Sequence, residues 1–156
     1  MKDYTIGEIT PEEAGSALTL INATFDRFVG PGYSEQGIQA FKDFITRERR
    51  QQGFTDYAFM LVARQERQII GVIEIWHYRH ITLLFTAAEW HNRGVAKRLL
   101  QAAISICRRE NPALNEISVR SSPFAVPVYQ KLGFIASGHE QTVDGMRFTE
   151  MTKPIP

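Results

Sequence analysis

The sequence predicts a mixed α/β sheet with helices on both faces, and three observations carry that prediction. Strand-like and helix-like runs follow one another in the order β-α-α-β-β-β-α-β-α-β-β. The apolar run at 81–86 leads through a small-residue turn into an amphipathic helix beginning at Gly94. No repeat, low-complexity stretch or linker divides the 156 residues. The expectation is a single domain over 1–156, with a central sheet of about six to seven strands flanked by about four helices.

The elements can be justified in turn. Residues 3–9 alternate weakly, as a short strand would. Thr10-Pro11-Glu12-Glu13 reads as a helix start, with Thr at the N-cap, Pro at the first helical position and acids in the first turn. Leu18, Ile21 and Phe25 then recur at helical spacing until Gly30-Pro31-Gly32 breaks the run. Ser34, Gly37 and Ile38 open a second helix that ends in Arg47-Glu48-Arg49-Arg50, a solvated helix end, and stops by Gly53. Strand-like runs follow at 57–63, 68–76 and 81–86. The helix from Gly94 carries Val95, Leu99, Ala103 and Cys107 on one face, and Arg108 and Arg109 complement its C-terminal dipole. After Asn111-Pro112 come a strand at 116–119 and a helix opened by Ser121-Ser122-Pro123 and stopped by Gly133. Closing strands at 134–138 and 146–152 flank a turn at Val143-Asp144-Gly145.

Composition bounds the function. A formal net charge of +1 lacks the basic excess of a typical nucleic-acid binder. No apolar run approaches the ~18 residues of a membrane span, so neither nucleic acid nor membrane is the expected partner. The single cysteine, Cys107, excludes an intrachain disulfide and fits a reducing compartment. The N-terminus lacks a signal-peptide core, which makes the cytoplasm the default expectation.

The chemistry concentrates at His91-Asn92-Arg93-Gly94-Val95-Ala96-Lys97. Strand, small-residue turn and helix N-terminus together suit a diphosphate: the first helical N–H groups lack partners, and the macrodipole is positive there. Gly94 permits close backbone approach and Ala96 adds little bulk. Arg93, Lys97 and Arg98 add cations. The pattern points to a phosphorylated cofactor.

With those residues in place, the sequence resembles the GNAT superfamily of acyl-CoA-dependent N-acyltransferases. Its cofactor motif, Gln/Arg-x-x-Gly-x-Gly/Ala, is matched by His91-Asn92-Arg93-Gly94-Val95-Ala96. Its Ser-x-x-Ala-x-x-x-Tyr-x-x-Leu-Gly-Phe segment is matched by residues 122–134, from Ser122 through Ala125 and Tyr129 to Leu132-Gly133-Phe134. The resemblance covers about 57–153. It divides the chain into an N-terminal strand and helical arm bordering the acceptor site (1–53), a cofactor-binding core (57–110), and a second core motif with closing strands (114–153). Two positions depart from the family pattern. His91 replaces Gln/Arg at a position that mainly donates backbone, and Arg120 stands where many relatives have an Asn that helps hold the pantetheine arm.

The resemblance implies acetyl transfer from acetyl-CoA to a primary amine by direct attack, without a metal. It implies a small-molecule or peptide amine as acceptor and makes a homodimer an available assembly. It also implies a sheet splayed between its fourth and fifth strands, where the main chain of Leu84, Phe85 and Thr86 meets pantetheine and the acyl oxygen. Tyr129 becomes the general acid for the leaving thiolate, since a phenol stays protonated at neutral pH.

A base is also needed, because an amine of pKa near 10.4 is only about a thousandth neutral at pH 7, an obstacle of about 4 kcal/mol. Two residues compete, and a water chain without one assigned base is the third alternative. Glu74, a lone carboxylate within Ile69-Ile70-Gly71-Val72-Ile73-Glu74-Ile75-Trp76, is suited to accept a proton if buried and idle if on an exposed strand face. His80 has suitable imidazole chemistry, or is a plain hairpin histidine. His77 and His80 lack further metal-ligand spacing. Cys107 reads as core. Phe25, Phe28, Val29 and Tyr33 either line an acceptor pocket or pack the helical hairpin. The rival functions are a noncatalytic acyl-CoA-binding or sensing module and a structural interaction domain.

Overall fold

The structure is a computed structural model describing residues 3–51 and 58–156, with side chains described for 3–46 and 58–156. The sequence positions Gly53 and Tyr57, and the side chains of Arg47-Glu48-Arg49-Arg50, lie outside the described residues.

Strand β1 (Thr5–Glu8) leads into a 3-10 turn (Pro11–Glu13) and helix α1 (Ala14–Thr24). The Glu13 carboxylate reaches back to accept the Thr10 N–H at 3.0 Å, as the acidic first turn predicts. The helix then widens into a π-helical turn (Phe25–Val29) before the 3-10 turn Gly30–Gly32 ends it. Ser34 Oγ accepts the Gly37 N–H at the start of α2 (Glu35–Gln51). Strands β2 (Ala58–Gln65), β3 (Gln68–Trp76) and β4 (His80–Thr86) form an antiparallel meander, and α3 (Val95–Glu110) follows. Then come β5 (Glu116–Ser121), α4 (Val126–Lys131), β6 (Ile135–Ala136), β7 (Gln141–Val143) and β8 (Met146–Pro154).

The described residues form an eight-stranded sheet in the order β1-β2-β3-β4-β5-β8-β6, with β7 on β8. That exceeds the expected six to seven because residues 134–143 contribute two short strands, where the sequence pattern suggests one. Asp144 (φ 53) and Gly145 (φ 78) both adopt positive φ in the two-residue turn between β7 and β8, the geometry that matches the twist of a tight hairpin. Four α-helices cover the sheet.

The core has two halves. Ile73, Ile75, Ile81, Leu99, Ala103 and Cys107 pack on the α3 side. Ala17, Ile21, Ile45, Met60, Val72 and Leu83 pack on the α1/α2 side. Cys107 packs in this core, and burial pushes its thiol up to about 12, which disfavours the nucleophilic thiolate.

Candidate active site

The central feature is a split in the sheet. β4 and β5 run parallel, but only two residue pairs join them, His80–Ser118 and Ile81–Val119. Beyond Ile81, β4 is bonded only to β3. The direction of its free groups follows from register. The Ala87 N–H donates to Ile70 O at 2.9 Å, which makes Gly71–Thr86 a non-hydrogen-bonded pair. Ile73–Leu84, two residues back, has the same parity. Leu84 and Thr86 therefore turn their N–H and C=O groups toward the split, while Phe85 pairs with Val72. The Thr86 carbonyl is met by His91, whose Nε2 lies 2.8 Å away. The His91 backbone N–H goes to Ala88 O at 3.2 Å. At this position the ring, not the backbone N–H, ties the loop to β4.

At one end of the split stands the N-terminus of α3. Gly94 has φ 81, a left-handed conformation that glycine adopts at little cost. A Cβ built there would meet nothing within 4 Å. Asn92 also has positive φ. The first intrahelical bond runs from the Arg98 N–H to Gly94 O, so the N–H groups of Val95, Ala96 and Lys97 precede the helical ladder. Lys97 lines the cleft. Arg93 lies over the Trp90 ring (5.3 Å) and Arg98 over the Tyr4 ring (4.9 Å), and neither lines the cleft. Sequence spacing suggested three cations at one point; aromatic rings hold two of them aside.

Tyr129 projects from α4. It is buried, packs edge-on against Phe134 and lines the cleft. Burial raises its phenol above the ordinary value of 10.0, so it stays protonated at neutral pH. Arg120 borders the cleft from β5, with its guanidinium over the Phe148 ring (4.8 Å) and 3.4 Å from Glu150.

The two base candidates occupy different positions. Glu74 is 2 % exposed, so the exposed-strand reading does not hold. It sits behind the cleft wall, and Thr82 Oγ1 donates to its Oε1 at 2.7 Å. Thr82 owes this orientation to a bulge: Glu74 pairs with Leu83 and Ile75 with Ile81, leaving Thr82 as the extra residue. His80 lines the cleft directly, with Nδ1 2.8 Å from Ser118 Oγ. Burial, then the Arg120 and Arg79 cations, hold its imidazole below 6.5, so it is neutral at pH 7.

The cleft has a volume of about 1060 Å³. Phe25, Phe28, Val29 and Tyr33 all line it. Sequence reasoning did not single out Thr82, Phe41, Trp76, Phe124 or the hairpin residues Val143, Met146 and Phe148 as lining residues. The hairpin is locked to the helical arm. A Cβ on Gly37 would lie 2.1 Å from Gly145 O. The Tyr33 hydroxyl donates to Arg147 O (3.1 Å), and Arg147 Nη1 donates to Gly32 O (3.0 Å). Among the described residues no group of three or more His, Cys, Asp or Glu is placed to hold a metal ion, and no helix is long and apolar enough to cross a membrane.

The sheet is split at its parallel pair, and a helix N-terminus and a set of aromatic side chains line the same cleft. The acetyltransferase (GNAT) domain family matches residues 29–155, and the chain belongs to that family. Its fold is similar to that of a GCN5-related N-acetyltransferase from Rhodopseudomonas palustris (20% identity, TM-score 0.80, covering 99% of this chain and 98% of that one). It is also similar to the paia N-acetyltransferase from Thermoplasma acidophilum, solved in complex with coenzyme A (18% identity, TM-score 0.72, covering 98% and 99%). Among curated proteins, none matches the sequence.

Proposed function

We propose that the protein transfers the acetyl group of acetyl-CoA to a primary amine by direct attack. The observation that carries this is the sheet split, with the Leu84 and Thr86 main chain turned into it and Tyr129 and Thr82 on its walls. The residues present fit the co-substrate. The helix N-terminus at Val95, Ala96 and Lys97 suits a diphosphate, with open space at Gly94 and the Lys97 ammonium nearby. His91, Asn92 and Arg93 shape that loop. Arg120 lines the same cleft. When bound, acetyl-CoA supplies an activated acyl group and a thiolate leaving group.

The chain's own groups then have three tasks. The Leu84 N–H donates toward charge developing on the acyl oxygen. The Tyr129 hydroxyl gives its proton to the departing sulfur; the desolvation that strengthens the phenol O–H also raises a neighbouring thiolate's affinity for that proton. Glu74, acting through the Thr82 hydroxyl, takes the proton from the amine. His80 is the competing base and serves only in the tautomer whose Nδ1–H donates to Ser118 Oγ, leaving Nε2 to accept. A cytoplasmic setting fits the single, buried cysteine.

The test is incubation with acetyl-CoA and a panel of primary amines, reading free thiol and the mass of the acetylated product. Amine-dependent thiol release is the expected result. Coenzyme A binding without transfer to any amine would support the noncatalytic module instead.

A further inference from the structure

We propose that the acceptor is a monoamine on an apolar, aromatic-sized body, and that amines carrying a second ammonium are poor substrates. This rests on the transferase reading and names the acceptor class of the same cleft.

Part of the cleft lies on the α1/α2 side of the sheet. Tyr33, Phe41, Phe85, Met146 and Phe148 line the cleft there, whereas Phe28 packs on His91 and Phe124 toward the α3 loop. Its rings form a connected wall: Phe25 stacks on Phe41 at 4.0 Å between centroids, Phe41 meets Phe85 edge-on at 6.0 Å, and Phe25 meets Tyr33 at 5.7 Å. Val143 pairs directly with Met146 across the hairpin, and Phe148 lies two residues on, so the three share the face turned to the cleft. Such a wall gains most from an apolar or aromatic body.

Charge selects further. The ionisable side chains lining the cleft, among the described residues, are His80, His91, Lys97, Arg120, Lys131 and the two tyrosines. None is a carboxylate. Glu74 does not line the cleft; Thr82, which does, donates to its carboxylate. Three nearby acids already face cations: Asp26 with Lys42 at 2.7 Å, Glu140 with Arg147 at 3.0 Å, and Glu150 with Arg120 at 3.4 Å. Lys42 also lies 5.3 Å from the Phe25 ring centroid. Among the described residues no carboxylate lines the cleft, so a second ammonium would give up water for ring faces alone, without a counter-ion there.

The experiment compares kcat/KM for hexylamine, 2-phenylethylamine and 1,6-diaminohexane on the full-length protein with acetyl-CoA, by thiol release. The two monoamines should exceed the diamine by at least about tenfold. Val143→Glu, at a half-exposed strand position, should narrow that ratio by supplying a carboxylate. A diamine as good as hexylamine overturns the proposal and leaves the transferase reading standing. So does an unchanged ratio in a folded Val143→Glu protein. If none of the three turns over, the wider amine panel decides the transferase reading. Calorimetric binding of 2-phenylethylamine and 1,6-diaminohexane to the coenzyme A-loaded protein then decides the proposal: tighter monoamine binding supports it, and equal or reversed affinities overturn it.

Discussion

Thr82 Oγ1 donates to Glu74 Oε1 at 2.7 Å, across the point where the β3–β4 register shifts by one residue. Regular pairing would alternate Thr82 and Leu83 to opposite faces. The bulge instead turns the hydroxyl toward the buried carboxylate on the α1/α2 face, while Thr82 still lines the cleft. A carboxylate that does not line the cleft is thereby hydrogen-bonded to a residue that does.

This relationship separates the two base candidates. Glu74→Gln and Thr82→Val should each lower turnover near neutral pH by about 10- to 100-fold, and raising the pH toward the amine's own pKa should partly restore it. His80→Asn should cost less. The decisive measurements are full pH–rate profiles of the three variants, with melting temperatures to confirm folding. If His80→Asn alone removes the rise in rate between pH 5 and 7, the base is His80 and Thr82 is only a structural partner of Glu74.

Tyr129→Phe keeps the ring packed on Phe134 and removes the phenolic proton. Turnover should fall by roughly 100-fold with acetyl-CoA affinity nearly unchanged. Burial raises the phenol's pKa, so the parent should show no loss of activity attributable to Tyr129 ionisation up to at least pH 10. Single-turnover rates of acetyl transfer test this, and a variant as fast as the parent would remove Tyr129 from the chemistry.

At Gly94 the cost of substitution lies in the backbone and in the ligand. Nothing in the protein obstructs a Cβ there, but φ 81 costs an ordinary residue about 1–2 kcal/mol. Gly94→Ala should lower stability by that amount and weaken coenzyme A binding modestly. Gly94→Asp should weaken binding at least about tenfold, because it adds a negative charge where an anion is expected. Calorimetric titration of both variants separates charge from strain. Equal affinities for the two would place the diphosphate elsewhere.

Much of this architecture was legible in the sequence, and the limits have physical causes. The Thr10–Glu13 helix start, the Gly94 turn and the Asp144-Gly145 hairpin turn are local, so residue chemistry alone specifies them. Family resemblance, not periodicity, anticipated the split between β4 and β5. The bulge at Thr82 was hidden because Ile81-Thr82-Leu83 reads as ordinary strand alternation. Trp90, in the same loop as Arg93, was a local signal, but the displacement of Arg98 onto Tyr4 was hidden because that ring arrives from the N-terminal end of the chain. So was the contribution of the β7–β8 hairpin to the cleft, which depends on docking against a helix more than a hundred residues earlier.

That docking is a backbone-to-backbone contact and tolerates little. A Cβ on Gly37 would lie 2.1 Å from Gly145 O and 2.6 Å from its carbonyl carbon, neither of which can rotate away. Gly37→Ala should therefore cost about 1–3 kcal/mol, visible as a lower melting temperature. It should also raise KM for the amine, since Val143, Met146 and Phe148 would shift with the hairpin. Coenzyme A affinity should hold. An unaltered amine KM in the variant would show that the hairpin wall does not contact the acceptor.

The last prediction concerns acid stability. Glu13 bonds Arg64 through both carboxylate oxygens, at 2.7 and 2.8 Å, and also accepts the Thr10 N–H. The Arg64 bond is the main cause that lowers its pKa from 4.5 to about 2. A depressed carboxylate stabilises the fold fully above its unfolded pKa, and the contribution fades as pH falls toward the folded one. The window is therefore pH 4.5 down to about 2. The pair is partly solvated, which limits the contribution to about 1 kcal/mol. Glu13→Gln should lower the melting temperature at pH 6, and the gap to the parent should close as pH approaches 2. Melting curves of both proteins across that range test it. A gap that stays constant with pH would mean that Glu13 acts through its fit at the helix start and not through its charge.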